Sequence, residues 1–303
     1  MAPMSNRLLV PRKTPGLLDL VPGAAAAYSL RSLSNSYADP VVTVRRSSDD
    51  AEEDFTASEI ADGTLAAFCG AGDGFVYRWW DQSGNARHAV AAADTNEPKI
   101  VDSGVVVTEE GKPAIRFDGS NDFFSAGVAG DFNSLHNGNA AVFAVLTIGL
   151  SASPAALYLI VGTSSISFTQ IGAQIFYDDR SGINENAYRI TVQRGVAFTS
   201  AGAITHTNAI QPQQQFLLSQ IIDIANPVAD NRLEGFINSG VRLAGNVETD
   251  TGSASNSTSA LHIGGIGGTY QYAGYMQELI IYPSDLTEQR ELVEGNIAWG
   301  WSV

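Results

Sequence analysis

The feature that most limits what this chain can fold into is a long succession of short apolar runs, each closed by turn-forming residues. From about residue 99 onward, segments 99–101, 104–108, 114–117, 140–148, 157–161, 174–177, 188–193, 216–223, 232–237, 261–266 and 275–282 are strand-length and rich in Val, Ile, Leu, Phe and Tyr. Glu110-Gly111-Lys112 and Asn238-Ser239-Gly240 read as tight turns between them. The run 140–148 is apolar throughout, so it is expected to be buried on both faces. Upstream, 41–46 and 75–80 also read as strands. Helices are expected at 24–33, where Ala24 to Ala27 precede Tyr28, at 64–68, and at 284–295 behind an N-cap at Ser284. Many short strands with frequent turns can bury their apolar faces only by stacking two layers, so an antiparallel sandwich or jelly roll is expected.

Composition narrows the function classes. The 303 residues carry 17 Lys and Arg against 32 Asp and Glu, a formal charge of −15. Charged residues are only 16% of the chain, below the ~25% of an average soluble protein, so the acidity reflects missing bases rather than acidic runs. A nucleic-acid binder would show a basic stripe, and none is present. A disordered acidic tail would lack the 13 Phe, 10 Tyr and 4 Trp found here. The single cysteine, Cys69, lies in the apolar run Leu65-Ala66-Ala67-Phe68 and reads as a buried structural thiol. No apolar run is long enough to span a membrane, and the N-terminus lacks a signal-peptide core. Residues 1–22, broken by Pro11 and Pro15, read as an extended arm, with Arg7, Leu8, Leu9, Arg12 and Lys13 as candidate docking residues; residues 23–303 read as one domain.

Several segments together resemble one family. Tyr28-Ser29-Leu30-Arg31, Val44-Arg45-Arg46-Ser47-Ser48-Asp49, Phe68-Cys69 and Trp80-Asp81-Gln82-Ser83-Gly84-Asn85 occur in the order seen in the catalytic domain of arabinofuranosidase B. So do Ile263-Gly264-Gly265-Ile266-Gly267-Gly268, Gly274-Tyr275-Met276-Gln277-Glu278 and Tyr282-Pro283-Ser284-Asp285. The later segments are also similar to laminin-G-like jelly rolls. The resemblance implies an all-β, concanavalin A-like (laminin-G-like) antiparallel β-sandwich or jelly roll with a few short helices and an extended N-terminal arm. The front end, from Gly16-Leu17-Leu18-Asp19 to Leu30, resembles virion proteins of tailed bacteriophages.

The chemistry that the first resemblance implies is incomplete on alignment. A retaining glycosidase needs two carboxyls about 5–5.5 Å apart. The family's acid/base Asp follows a late Gly-Gly, and after Gly267-Gly268 this chain has Thr269. The family's nucleophile lies in a strand that aligns with 170–176, which holds no carboxylate. The family's adjacent cysteine pair is also missing. Asp178 and Asp179 read as solvated, and a relocated pair of either with Glu278 is the enzymatic alternative. His88, His136, His206 and His262 are scattered, so no metal site and no cofactor are expected. Asp81-Gln82-Ser83-Gly84-Asn85 reads as a side-chain-capped turn or as the floor of a sugar site beside Trp79 and Trp80. Asp118-Gly119-Ser120-Asn121-Asp122 reads as a hairpin turn or a calcium loop. Trp299 and Trp301 either seal the sandwich or sit in a subunit contact.

The resulting expectation is a non-catalytic virion structural protein of a tailed phage, a head or tail fibre or decoration component made in the host cytoplasm. Its jelly roll would contact host-surface glycans through Trp80, Asp81, Asn85, Asp118, Asn121 and Tyr270. Its partners would be other virion proteins and further copies of itself, with a trimer favoured, and neither nucleic acid nor an inserted membrane. An active glycoside hydrolase related to arabinofuranosidase and a purely architectural cement protein stay open as alternatives.

Overall fold

Ala273–Tyr282 is the strand around which the first layer is built. In the computed structural model, which describes residues 14–149, 157–164, 170–180, 184–194, 202–245 and 255–303, it pairs antiparallel with Ala26–Ser29, Ile115–Asp118 and Asn139–Ile148. Asn139–Ile148 then pairs with Gln215–Asp223, which pairs with Leu233–Ile237. The candidate docking residues Arg7, Leu8, Leu9, Arg12 and Lys13 lie outside the described residues.

The second layer runs, by neighbouring strands, through Val42–Arg46, Gly74–Trp79, Ala89–Val90, Phe124–Ala126, Leu261–Ile263, Leu157–Gly162, Gly172–Arg180, Asn184–Gln193 and Gly202–His206. Lys99–Asp102 pairs with both Gly74–Trp79 and Ile115–Asp118 and so links the two layers. The result is the antiparallel all-β sandwich that the succession of short apolar runs requires. Trp79, Tyr28, Phe117 and Phe124 fill the space between the layers in tilted and edge-on contacts.

Asn139–Ile148 is buried along nearly its whole length, as its unbroken apolar sequence requires. One face meets the core, and the helix Arg290–Trp301 packs over the other. That helix begins later than the Ser284 cap suggests. Leu286 adopts a left-handed backbone (φ 48°) and the Asp285 carboxylate takes the Thr287 N–H, so a short 3₁₀ turn precedes it. On a helix, residues two apart point to nearly opposite sides. Trp301 is therefore buried, whereas Trp299 is 72% exposed.

The expected helix at 24–33 is not formed. Ala26–Ser29 is a strand, in register with Ile281 to Glu278. Alanine's helix preference amounts to only a few tenths of a kcal/mol per residue over its competitors, and tertiary bonds override it. The Asp81 carboxylate takes the Ala27 N–H at 2.9 Å, and the Asn85 amide donates to the Ala24 and Ala25 carbonyls. Small side chains at 24–27 let this strand lie buried against its neighbours. Leu17–Leu20, at the end of the expected arm, is a short helix whose Leu17 is buried in the core.

Glu278 is fully buried and binds the ends of the chain together. Its carboxylate accepts from Ser29 Oγ (2.7 Å), Arg31 Nε (2.8 Å), Arg31 Nη2 (3.0 Å) and Trp301 Nε1 (2.7 Å). Removing one partner of such a group leaves uncompensated buried charge, which costs about 3–5 kcal/mol. Glu278→Ala is therefore expected to lose stability on that scale in urea unfolding. Cys69 closes the helix Thr64–Cys69, and burial pushes its thiol up to about 11, opposed in part by Arg46. Thiol-disulfide reagents at pH 8 should label it only after denaturant is added; rapid labelling of the folded protein would contradict this burial.

Candidate functional site

Two segments singled out by sequence meet on the outward face of the second layer: the strand Gly172–Arg180 and the glycine-rich turn after Leu261–Ile263. Alternate strand residues share a face, so Gln174, Phe176 and Asp178 point the same way. The turn is made by Gly267 and Gly268, both in left-handed backbone, with Ile266 and Thr269 exchanging N–H···O bonds across it. Earlier in the turn, Gly264 (φ 84°) presses on Phe117, where a Cβ would stand 2.4 Å from the ring; no larger residue fits. Tyr270 follows, with φ 57°, an unusual conformation for an aromatic residue. Its carbonyl accepts from Leu159 N–H at 2.8 Å, and its ring meets Phe176 edge-on at 5.5 Å. Leu157, Leu159, Phe176 and Ile266 form an apolar floor beneath it.

Asp178 stands at the edge of that floor and is fully buried rather than solvated as its sequence suggests. A β-bulge between Asp178 and Arg180 turns Arg180 back over it. Arg180 donates from Nε (2.8 Å) and Nη2 (2.7 Å), and Arg189, on the neighbouring strand, donates from Nη1 at 3.3 Å. Hydrogen bonds to Asp178 hold the Arg180 guanidinium above its ordinary range, against burial, and the Tyr270 phenol acts on the same guanidinium electrostatically. Arg180 is 32% exposed, so it is the solvent-facing side of this group. The segment 170–176 indeed holds no carboxylate, but the same strand face supplies one two residues later. Arg180 and Arg189 are the site residues that sequence reading missed: the bulge that aims the first has no sequence signature, and the second comes from a separate strand.

The pair of Asp178 or Asp179 with Glu278, named as the enzymatic alternative, does not converge. Glu278 lies in the other layer, beneath the C-terminal helix and enclosed by its four donors. Thr269 serves the turn. The Gln271 amide accepts from the Gly268 and Thr269 N–H groups (3.0 and 3.2 Å) and donates to the Asp122 carbonyl (3.1 Å).

The remaining candidates fall elsewhere. Asp81 takes the N–H groups of Ala27, Ser83 and Arg87, and Asn85 holds the Ala24 and Ala25 carbonyls, so both act in the turn. Trp80 is half-buried and gives its Nε1–H to Thr43 at 2.9 Å. Asp118 lines a cleft of about 600 Å³ with Glu109, Arg116 and Tyr275, while its Oδ1 caps the Ser120 N–H. The Asn121 carbonyl accepts from Asn96. Among the described residues no three His, Cys, Asp or Glu side chains group as a metal site.

Asp122 is held at about 7 by burial, against the opposing Asp118 N–H bond. Such a group suits a proton donor. It precedes Phe124–Ala126, a strand three spacings from that of Asp178, roughly 14 Å at about 4.8 Å each, against the ~5–9.5 Å that two glycosidase carboxyls need. Its effect is on stability. The unfolded carboxyl ionises near 4, so the stabilisation present below that pH is lost as pH rises toward 7. Between pH 5 and 7.5, the wild type should lose on the order of 1–3 kcal/mol relative to Asp122→Asn in urea titrations; parallel curves would refute the shift.

Residues 19–121 match the family profile described as alpha-L-arabinofuranosidase B, catalytic. An arabinofuranosidase complexed with arabinofuranosyl-α-1,2-xylobiose superposes with a TM-score of 0.56 at 17% identity, covering 92% of this chain and 63% of that one. A glutamate-to-glutamine variant of a family 54 α-L-arabinofuranosidase soaked with 4-nitrophenyl α-L-arabinofuranoside gives 0.58 at 18% identity, with the same coverage. This chain therefore spans less than two thirds of the arabinofuranosidases it matches, and the likeness at this identity is one of fold. No curated protein sequence matches it. The expectation of a non-catalytic protein is corrected by these findings: the matched profile is that of a catalytic domain, and the similar structures are arabinofuranosidases with substrate or inhibitor. These matches carry no phage context.

Proposed function

We propose that the protein is a glycoside hydrolase acting on arabinofuranosyl groups, with the Asp178–Arg180–Tyr270 group as its reacting centre. The observation that carries this reading is the meeting of the Gly172–Arg180 strand with the glycine-rich turn, which puts a buried carboxylate under a guanidinium on the same strand face as Phe176, whose ring meets the strained Tyr270. The match to the arabinofuranosidase profile and the shared fold support the substrate class.

In this reading Arg180 and Arg189 hold the Asp178 carboxylate in place, and Arg180 swings aside to admit the sugar. The carboxylate attacks the anomeric carbon as its bond to the leaving oxygen breaks. The Tyr270 phenol, the more acidic hydroxyl beside Thr269, gives its proton to that oxygen. Water then cleaves the glycosyl ester and returns a proton to Tyr270. A phenol is a weak acid at neutral pH, so substrates whose leaving group needs little protonation react best.

Two measurements follow. Purified protein should turn over 4-nitrophenyl α-L-arabinofuranoside, and Asp178→Asn, shown folded by circular dichroism, should lose at least a hundredfold in kcat/KM; an unchanged rate would sink the assignment. Tyr270→Phe should cost far more on an arabinosylated xylo-oligosaccharide than on the nitrophenyl substrate, because only the former depends on protonation of its leaving oxygen.

A further inference from the structure

A second groove, of about 400 Å³, opens on the same layer near Trp80, five strand spacings from the strand of Asp178, or roughly 24 Å. Tyr37, Asp39, Asp54, Trp80 and His88 line it. Trp80 already gives its Nε1–H to Thr43, and Thr43 gives its hydroxyl to Asp54 at 2.5 Å. What Trp80 offers a ligand is therefore the ring surface left uncovered by the Arg78 guanidinium, which lies over the ring 5.0 Å from its centroid, and by His88. Tyr37 likewise gives its hydroxyl to the Pro40 carbonyl at 2.7 Å and leaves its ring.

His88 stands 4.5 Å from the Trp80 ring, centroid to centroid, and its Nδ1 accepts the Asp81 N–H at 3.1 Å. A ring nitrogen that accepts carries no proton, so the neutral imidazole holds its proton on Nε2 as a donor. Burial keeps His88 below its ordinary range, against the pull of Asp81, which favours this neutral form. Asp39 is exposed, and its carboxylate makes no hydrogen bond to the described residues. Asp81 and Gln82 direct their side chains into the fold, so their backbone forms the floor.

Aromatic surface, one neutral N–H donor and carboxylate acceptors make a set that fits a polyhydroxylated, uncharged ring. Hydroxyls donate to carboxylates in charge-assisted bonds, while the apolar C–H face of a sugar lies on the aromatic rings. The same carboxylates, on a chain of charge −15, repel polyanions. We infer that this groove is an accessory binding site for one or two rings of a neutral polysaccharide, separate from the reacting centre and able to retain the polymer on which that centre acts. The choice of polymer rests on the hydrolase reading; the groove itself does not.

The test is native affinity electrophoresis through gels containing neutral arabinoxylan, with heparin gels as the polyanion arm. Wild type and Asp178→Asn should both be retarded by arabinoxylan and not by heparin. Trp80→Ala should weaken that retardation at least tenfold, and the exposed Asp39→Ala, which removes no internal bond, several-fold, both with unchanged turnover of 4-nitrophenyl α-L-arabinofuranoside. Absence of retardation in the wild type, equal retardation of wild type and both variants, or retardation by heparin alone would overturn the inference. Retardation without any turnover would leave it standing while the hydrolase reading falls.

Discussion

The buried carboxylate of Glu278 is the interaction on which the rest of this sandwich depends. It sits on the central strand of the first layer and draws donors from Ser29 and Arg31 near the front of the described chain and from Trp301 near its end. A carboxylate taken out of water is costly, and its burial is tolerable only because four hydrogen bonds replace its hydration. The geometry of those donors in turn fixes where Ala26–Ser29 pairs and how the C-terminal helix lies across Asn139–Ile148. Arg31 extends the group to Asn296 on that helix at 3.0 Å. The strand pairing of the first layer and the seating of its helix are thus one cooperative unit.

Asp178 makes an instructive contrast. It is as deeply buried as Glu278, but its partners differ in kind. Glu278 is enclosed by an indole, a hydroxyl and a mostly covered guanidinium, whereas Asp178 is covered by the partly exposed Arg180, held in place by a bulge in its own strand. An enclosed carboxylate can only stabilise. One whose cover is a solvent-facing side chain on a bulge can be uncovered by a ligand that offers better bonds. The strained backbone of Tyr270 beside it fits the same logic, because unfavourable torsions persist where neighbouring structure holds them.

Both the proposed reacting centre and the Trp80 groove belong to the second layer, while the helix Arg290–Trp301 covers part of the first, whose strands also line the cleft of Asp118 and Tyr275. The helix lies over Asn139–Ile148 and Gln215–Asp223, whereas the outer side of the second layer carries the glycine-rich turn and the bulge at Asp178. The glycine-rich turn reaches Phe176 because Gly264 lets the chain pass against Phe117, where a side chain would collide.

Much of this was legible in the residues. The spacing of apolar runs determined an antiparallel sandwich, because strands of that length with frequent turns can hide their apolar faces only in two layers. The apolar surroundings of Cys69 determined its burial, and the Asp81 to Asn85 segment offered the capped turn that the structure forms as one of two readings. The sequence misled where local preference opposed tertiary bonding, as at 24–33, where alanines that favour a helix are held extended by Asp81 and Asn85 from far along the chain. It was silent where function depends on aim. Whether Asp178 is solvated or clamped, whether Glu278 faces it or lies in the other layer, and which of Trp299 and Trp301 is covered follow from strand register, one bulge and helix phase. Those are set by contacts between residues distant in sequence, so only the tertiary structure could decide them.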